Sequence, residues 1–139
     1  MIDKIIQPTK VLIVEDTPDR QEVLTSLYRA HAWILVNTAH RAIMLLNAYD
    51  FDIVSLDYNL RGESNGDEIA KALVNSRNKN CVVIIHSMNP KGAEKIVKLL
   101  PNAISYPVSK MIRSNKVFRE LQKKITEQGA NFNWNKIYA

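Results

Sequence analysis

A chain of 139 residues with a formal net charge of +5 and 46% apolar side chains has the size of one ordinary domain and enough apolar material for a real core. No apolar run approaches the ~20 residues of a membrane span, and Met1–Lys4 has no long apolar segment behind it, so the expectation is a cytoplasmic chain with no signal peptide and no membrane partner. The single cysteine, Cys81, excludes an internal disulfide and lies in an apolar run, which reads as a buried, inert thiol.

Strands and helices alternate five times along the chain. The first strand, about Lys10 to Glu15, is Val11-Leu12-Ile13-Val14 running straight into Glu15-Asp16. Thr17-Pro18 then starts a helix to about Ala30, with Thr17 as N-cap and Pro18 at the first helical position. Val23, Leu24 and Leu27 share one face of it. Trp33-Ile34-Leu35-Val36 is a second strand. Thr38 caps a helix to about Ala48, with Ala39, Ala42, Ile43 and Leu46 inward. Phe51 to Leu56 is a third strand and runs into Asp57. A polar loop from Asn59 to Gly66 leads to a helix over about Asp67–Ser76. Val82-Val83-Ile84-Ile85 is a fourth strand, ending at His86-Ser87. Asn89-Pro90 starts a helix whose Ala93, Ile96, Val97 and Leu100 fall at amphipathic spacing. The fifth strand is short, about Ala103–Tyr106. A basic helix over about Lys110–Gln128 follows, with Val117, Phe118, Leu121 and Ile125 inward and Gly129 as its stop. These elements make one domain over residues 1–128. Residues 129–139, with Phe132, Trp134 and Tyr138, are a tail that docks on its own domain or on a partner and is too short for an output domain.

Repeated βα units with right-handed crossovers give an α/β fold, a doubly wound parallel sheet with helices on both faces. The flavodoxin-like strand order 2-1-3-4-5 makes the ends of strands one and three neighbours. Glu15, Asp16 and Asp57 then crowd one crevice at the carboxyl edge. Like charges that close repel unless a cation lies between them, so the sequence predicts a divalent-cation pocket. The basic residues Lys110, Arg113, Lys116, Arg119, Lys123 and Lys124 have helical spacing and read as a solvated face. Glu120 and Glu127 interrupt them and argue against a nucleic-acid partner. His31 and His40 read as surface residues on helices. Because neighbouring strand residues point to opposite faces, a site-facing Ser87 turns His86 away.

The acidic pair after strand one, the lone Asp57 after strand three and the hydroxyl of Ser87 after strand four resemble the receiver domain of bacterial response regulators, over roughly residues 9–127. The resemblance implies a stand-alone response regulator in which Asp57 accepts a phosphoryl group. Asp16 and Asp57 would bind Mg²⁺ directly, Glu15 through water, and Asn59 through its backbone carbonyl. Ser87 would bind a phosphoryl oxygen, and Tyr106 would be a switching aromatic. The partners would be a sensor histidine kinase or phosphotransfer protein and a downstream protein target. The receiver lysine falls at Ser109 when counted from Tyr106, one residue before Lys110, and at Tyr106 itself when aligned on Pro107. A narrower resemblance also exists. Ser55-Leu56-Asp57-Tyr58-Asn59-Leu60, Gly66 and His86-Ser87-Met88-Asn89-Pro90 are similar to the cyclic-phosphate-processing receiver branch, which has no typical lysine. That branch implies a metal-dependent phosphoesterase-like activity on cyclic phosphates and gives His86 a role. A pseudo-receiver that only binds partners is a third reading.

Overall fold

The computed structural model describes residues 8–136, the side chain of Lys136 excepted, so Met1–Lys4 and Tyr138 lie outside the described residues. The chain folds as a doubly wound α/β domain. Its strands are β1 (Lys10–Val14), β2 (Ala32–Val36), β3 (Ile53–Leu56), β4 (Val82–Ile85) and β5 (Ile104–Ser105), all parallel, in the order β2-β1-β3-β4-β5. This is the flavodoxin-like order expected from the repeated βα pattern.

Alternation within each strand splits the core into two layers. Leu12, Val14, Val54, Leu56, Val83 and Ile85 face one side, against helices α2 (Ala39–Ala48), α3 (Gly66–Val74) and α4 (Pro90–Leu99). Val11, Ile13, Ile53 and Ile84 face the other, against α1 (Pro18–Leu27), the short α5 (Val108–Met111) and α6 (Asn115–Gln128). The central strands are buried on both faces, which is why they read as continuous apolar runs.

Local starts follow the sequence signals in part. Thr38 and Asn89 accept the Arg41 and Gly92 amides at 3.2 and 3.0 Å. Thr17 stands at the start of α1 but makes no capping bond. α1 ends at Leu27, short of the expected Ala30. The basic helix expected over Lys110–Gln128 is two helices. Ser114 starts the second by accepting the Val117 amide at 3.1 Å, because a hydroxyl followed by three amides forms a better helix start than a continued turn. Gly129 ends α6 with φ of 55°, a left-handed conformation suited to glycine. Beyond it Phe132 and Trp134 are buried in the α1/α6 layer, so this part of the tail packs on its own domain.

His31 is not a surface helix residue. It is buried in the connection between α1 and β2. Its Nδ1 accepts the Thr9 amide at 3.0 Å and its Nε2–H donates to the Ile125 carbonyl at 2.8 Å, tying β1 to α6.

Candidate active site

The sheet's last paired row is Val14, Leu56 and Ile85. The next residues along are Glu15, Asp57 and His86, and the backbone carries them on in step. The Asp57 amide donates to the Val14 carbonyl at 3.1 Å, and the His86 amide donates to the Leu56 carbonyl at 3.1 Å. The Tyr106 amide continues the row by donating to Ile85 at 2.8 Å. Glu15, Asp57 and His86 are all buried and can bring one ligand atom each within 4.8 Å of one another.

His86 therefore faces the carboxylates, against the expectation from alternation. That rule was applied from Ser87, but β4 ends at Ile85 and both residues lie beyond it. His86 Nε2–H donates to Glu15 Oε1 at 3.0 Å, and Nδ1 meets the Ser55 hydroxyl at 2.8 Å. Both ring nitrogens are engaged, which leaves neither free for a metal ion.

Glu15 is held from every side. Its Oε2 accepts the Thr17 amide at 3.0 Å and lies 3.4 Å from Arg20 Nε. Burial pushes its carboxyl up. The hydrogen bond and charge of His86, the Thr17 amide and Arg20 outweigh burial and hold it below the usual carboxylate range. Asp57 moves the other way. Burial and the Glu15 charge raise its pKa, against His86, the Tyr58 amide and the Ser87 hydroxyl. Its Oδ1 accepts the Tyr58 amide at 2.8 Å. Its Oδ2 is buried without a hydrogen-bond partner among the described residues.

Arg20 is the residue that sequence reasoning missed. Its Nη2 lies 3.9 Å from Asp57 Oδ2 and donates to Thr17 Oγ1 at 2.7 Å. One helical turn separates it from Asp16, a spacing that brings a long side chain on α1 back over the strand end. Lys110 goes elsewhere. It is exposed, with its ammonium 4.8 Å from the centroid of the Tyr106 ring, and it makes no ion pair among the described residues. Tyr106 itself is buried, edge-on to Trp134 at 5.2 Å between centroids.

The remaining residues rim the crevice. Asp16 is half-buried, and Thr17 Oγ1 lies 3.4 Å from its Oδ1. Ser87 is buried and its Oγ accepts the Asn89 amide at 3.1 Å. Asn59 is exposed, and Asn89 donates to its side-chain oxygen at 3.1 Å, joining the loop after β3 to the start of α4. The donor set fits a hard divalent cation. It offers carboxylate oxygens, one of them buried and without a hydrogen-bond partner among the described residues.

The family model for the cyclic-phosphate processing receiver domain matches residues 10–102. Among curated proteins, none matches the chain. Solved structures share the fold. The Mn²⁺-bound form of response regulator Rcp1 is 19% identical, with a TM-score of 0.67, covering 95% of this chain and 100% of that one. Response regulator TrrA of Thermotoga maritima, in complex with Mg²⁺–BeF, is 20% identical, with a TM-score of 0.63 and coverage of 86% and 97%. A CheY-like receiver domain of Methylobacillus flagellatus is 17% identical, with a TM-score of 0.61 and coverage of 83% and 99%.

Proposed function

The chain belongs to the family of cyclic-phosphate processing receiver domains, and from that premise we propose that its carboxylate pocket binds Mg²⁺ and opens cyclic phosphate esters. The observation that carries the reading is the origin of the pocket's cation. The carboxylates of a receiver are present, but the positive group beside Asp57 is Arg20 of α1, while Lys110 lies over Tyr106. A signalling receiver reads its phosphoryl group through a lysine from the end of strand five. Here a guanidinium fork, suited to two phosphate oxygens at once, stands between Glu15 and Asp57.

The reaction is an addition of water to phosphorus with cleavage of one ring P–O bond. The proton lost by water ends on the released hydroxyl, and the product is a phosphate monoester. Arg20 and Ser87 hold the non-bridging oxygens. The His86–Glu15 bond fixes Glu15 as an ionised group behind Asp57, so it orients Arg20 and stays out of the way of the phosphate. Asp16 and Asp57 would hold the cation, joined by the Asn59 carbonyl. When bound, Mg²⁺ supplies charge neutralisation at the phosphoryl oxygens and acidifies water.

A second reading is favoured by one observation, the buried, unbonded Oδ2 of Asp57 beside Ser87. In it Asp57 is the nucleophile that takes a phosphoryl group from a sensor histidine kinase or phosphotransfer protein. A downstream protein then reads the change. One assay separates the two. RNA oligonucleotides ending in a cyclic phosphate are incubated with the protein and Mg²⁺ and resolved by chromatography. Conversion to the monoester is expected, falling about a hundredfold or more in Arg20→Ala and unchanged in Lys110→Ala. No conversion, with a stable Asp57 adduct by mass spectrometry after a small phosphodonor, would replace this reading with the second.

A further inference from the structure

A cavity of about 570 Å³ opens on the same carboxyl edge as the carboxylates but is built by none of them. That volume lies within the range of small-molecule sites. One wall is the first turns of α2, with His40, Arg41 and Met44. The other is the tip of the loop between β3 and α3, with Arg61 and Ser64. The loop is held in place. Arg61 forms an isolated parallel bridge with Thr38, and Gly62 turns the tip at φ of 91°. The Gly66 amide closes the loop on the Tyr58 carbonyl at 2.7 Å. In the strand order β2-β1-β3, β1 lies between the strands that lead into these two walls. The Glu15 amide at its end donates to the Val36 carbonyl at 3.0 Å, two residues before Thr38, so the carboxylates stand beside the α2 wall of the cavity.

The lining has the chemistry of a nucleotide site. Arg41 and Arg61 are exposed, and neither pairs with an acid among the described residues. Glu63 is the one acid on the wall, so the cavity is net positive. Met44 is 58% exposed, an apolar surface beside two guanidinium planes. Guanidinium planes stack on bases and bind phosphodiester oxygens, while the Thr38 and Ser64 hydroxyls can bond base edges. Inorganic phosphate would use only the arginines and leave Met44 and the volume unfilled.

We propose that this cavity is the subsite for the nucleotide 5′ to the one that carries the cyclic phosphate, so that an RNA end is a better substrate than a free cyclic mononucleotide. The inference rests on the proposed hydrolytic function for the position of the cyclic phosphate. Binding of the preceding nucleotide is measurable without turnover. The probe is a labelled trinucleotide carrying a plain 3′-phosphate, titrated by fluorescence anisotropy into wild type and into Arg41→Ala/Arg61→Ala. The double variant should bind about tenfold or more weakly, with a salt slope reduced by about one to two. Its turnover of a cyclic mononucleotide should match wild type. Equal affinity and slope in the two proteins would overturn the proposal. So would competition by inorganic phosphate as effective as by unlabelled trinucleotide. If the arginines govern trinucleotide binding while no cyclic phosphate is ever opened, the subsite stands and the hydrolytic function falls.

Discussion

Each side chain at the carboxyl edge answers to the charge beside it. His86 is fully buried and donates its ring N–H to Glu15. Removing one member of a buried hydrogen-bonded pair leaves a polar atom of the other unsatisfied, at a cost of about 1–3 kcal/mol. His86→Ala should therefore lower the urea midpoint by that measure, and Glu15→Gln should recover part of the loss in the double variant. An additive double-variant cycle would show the pair to be uncoupled. Cys81 makes a separate test. Burial, joined by the Asp52 charge, pushes its thiol up to about 11 against the opposing pull of a backbone hydrogen bond. The thiolate is the reactive form, so alkylation near pH 8 should be slow in the folded chain and rise steadily as the pH approaches that value. Labelling at the rate of a free cysteine would contradict it. The acids and Ser87 were legible from the sequence because each ends an apolar strand. His86 was misread because alternation was carried past the end of β4. Arg20 had a signal in its spacing from Asp16, and His31 had none, since only the tertiary fold brings Thr9 and Ile125 to its two nitrogens.

At the scale of elements, the site depends on how closely α3 starts beside β3. A Cβ at Gly66 would meet the Asp57 carbonyl oxygen and the Tyr58 backbone. Gly66→Ala must push the α3 start away from the residue at the centre of the site. Overpacking of this kind costs about 1–3 kcal/mol. The variant should lose stability by chemical denaturation and lose turnover beyond what stability explains, because Asp57 moves with its backbone. Wild-type stability with full activity would show that the loop gives way freely. The elements themselves were legible from apolar periodicity, with boundaries off by a few residues. The exception was the break between α5 and α6. Basic residues at helical spacing concealed it, although Ser114-Asn115 carries a capping signal inside that run.

Across the whole molecule, the central strands are covered on both faces and the tail completes one cover. Trp134 is 2% exposed, with Tyr106 at 5.2 Å and Phe132 at 5.4 Å between ring centroids. Trp134→Ala should cost about 3–5 kcal/mol, read as a lowered denaturation midpoint. A change within error would mean the aromatic cluster contributes no packing. The tail's inward docking was one of two readings the sequence left open, because burial of three aromatics serves a partner surface as well as a core. The strand order, by contrast, followed from repeated βα units and chirality alone. That order brings Glu15, Asp16 and Asp57 to one edge, where Asp16 and Asp57 are proposed to hold a divalent cation for phosphate chemistry. Calorimetric titration with Mg²⁺ tests it most directly. Saturable binding at one site is expected in wild type, abolished in Asp57→Asn and kept in Lys110→Ala. Absence of binding in wild type, or equal binding in Asp57→Asn, would contradict it.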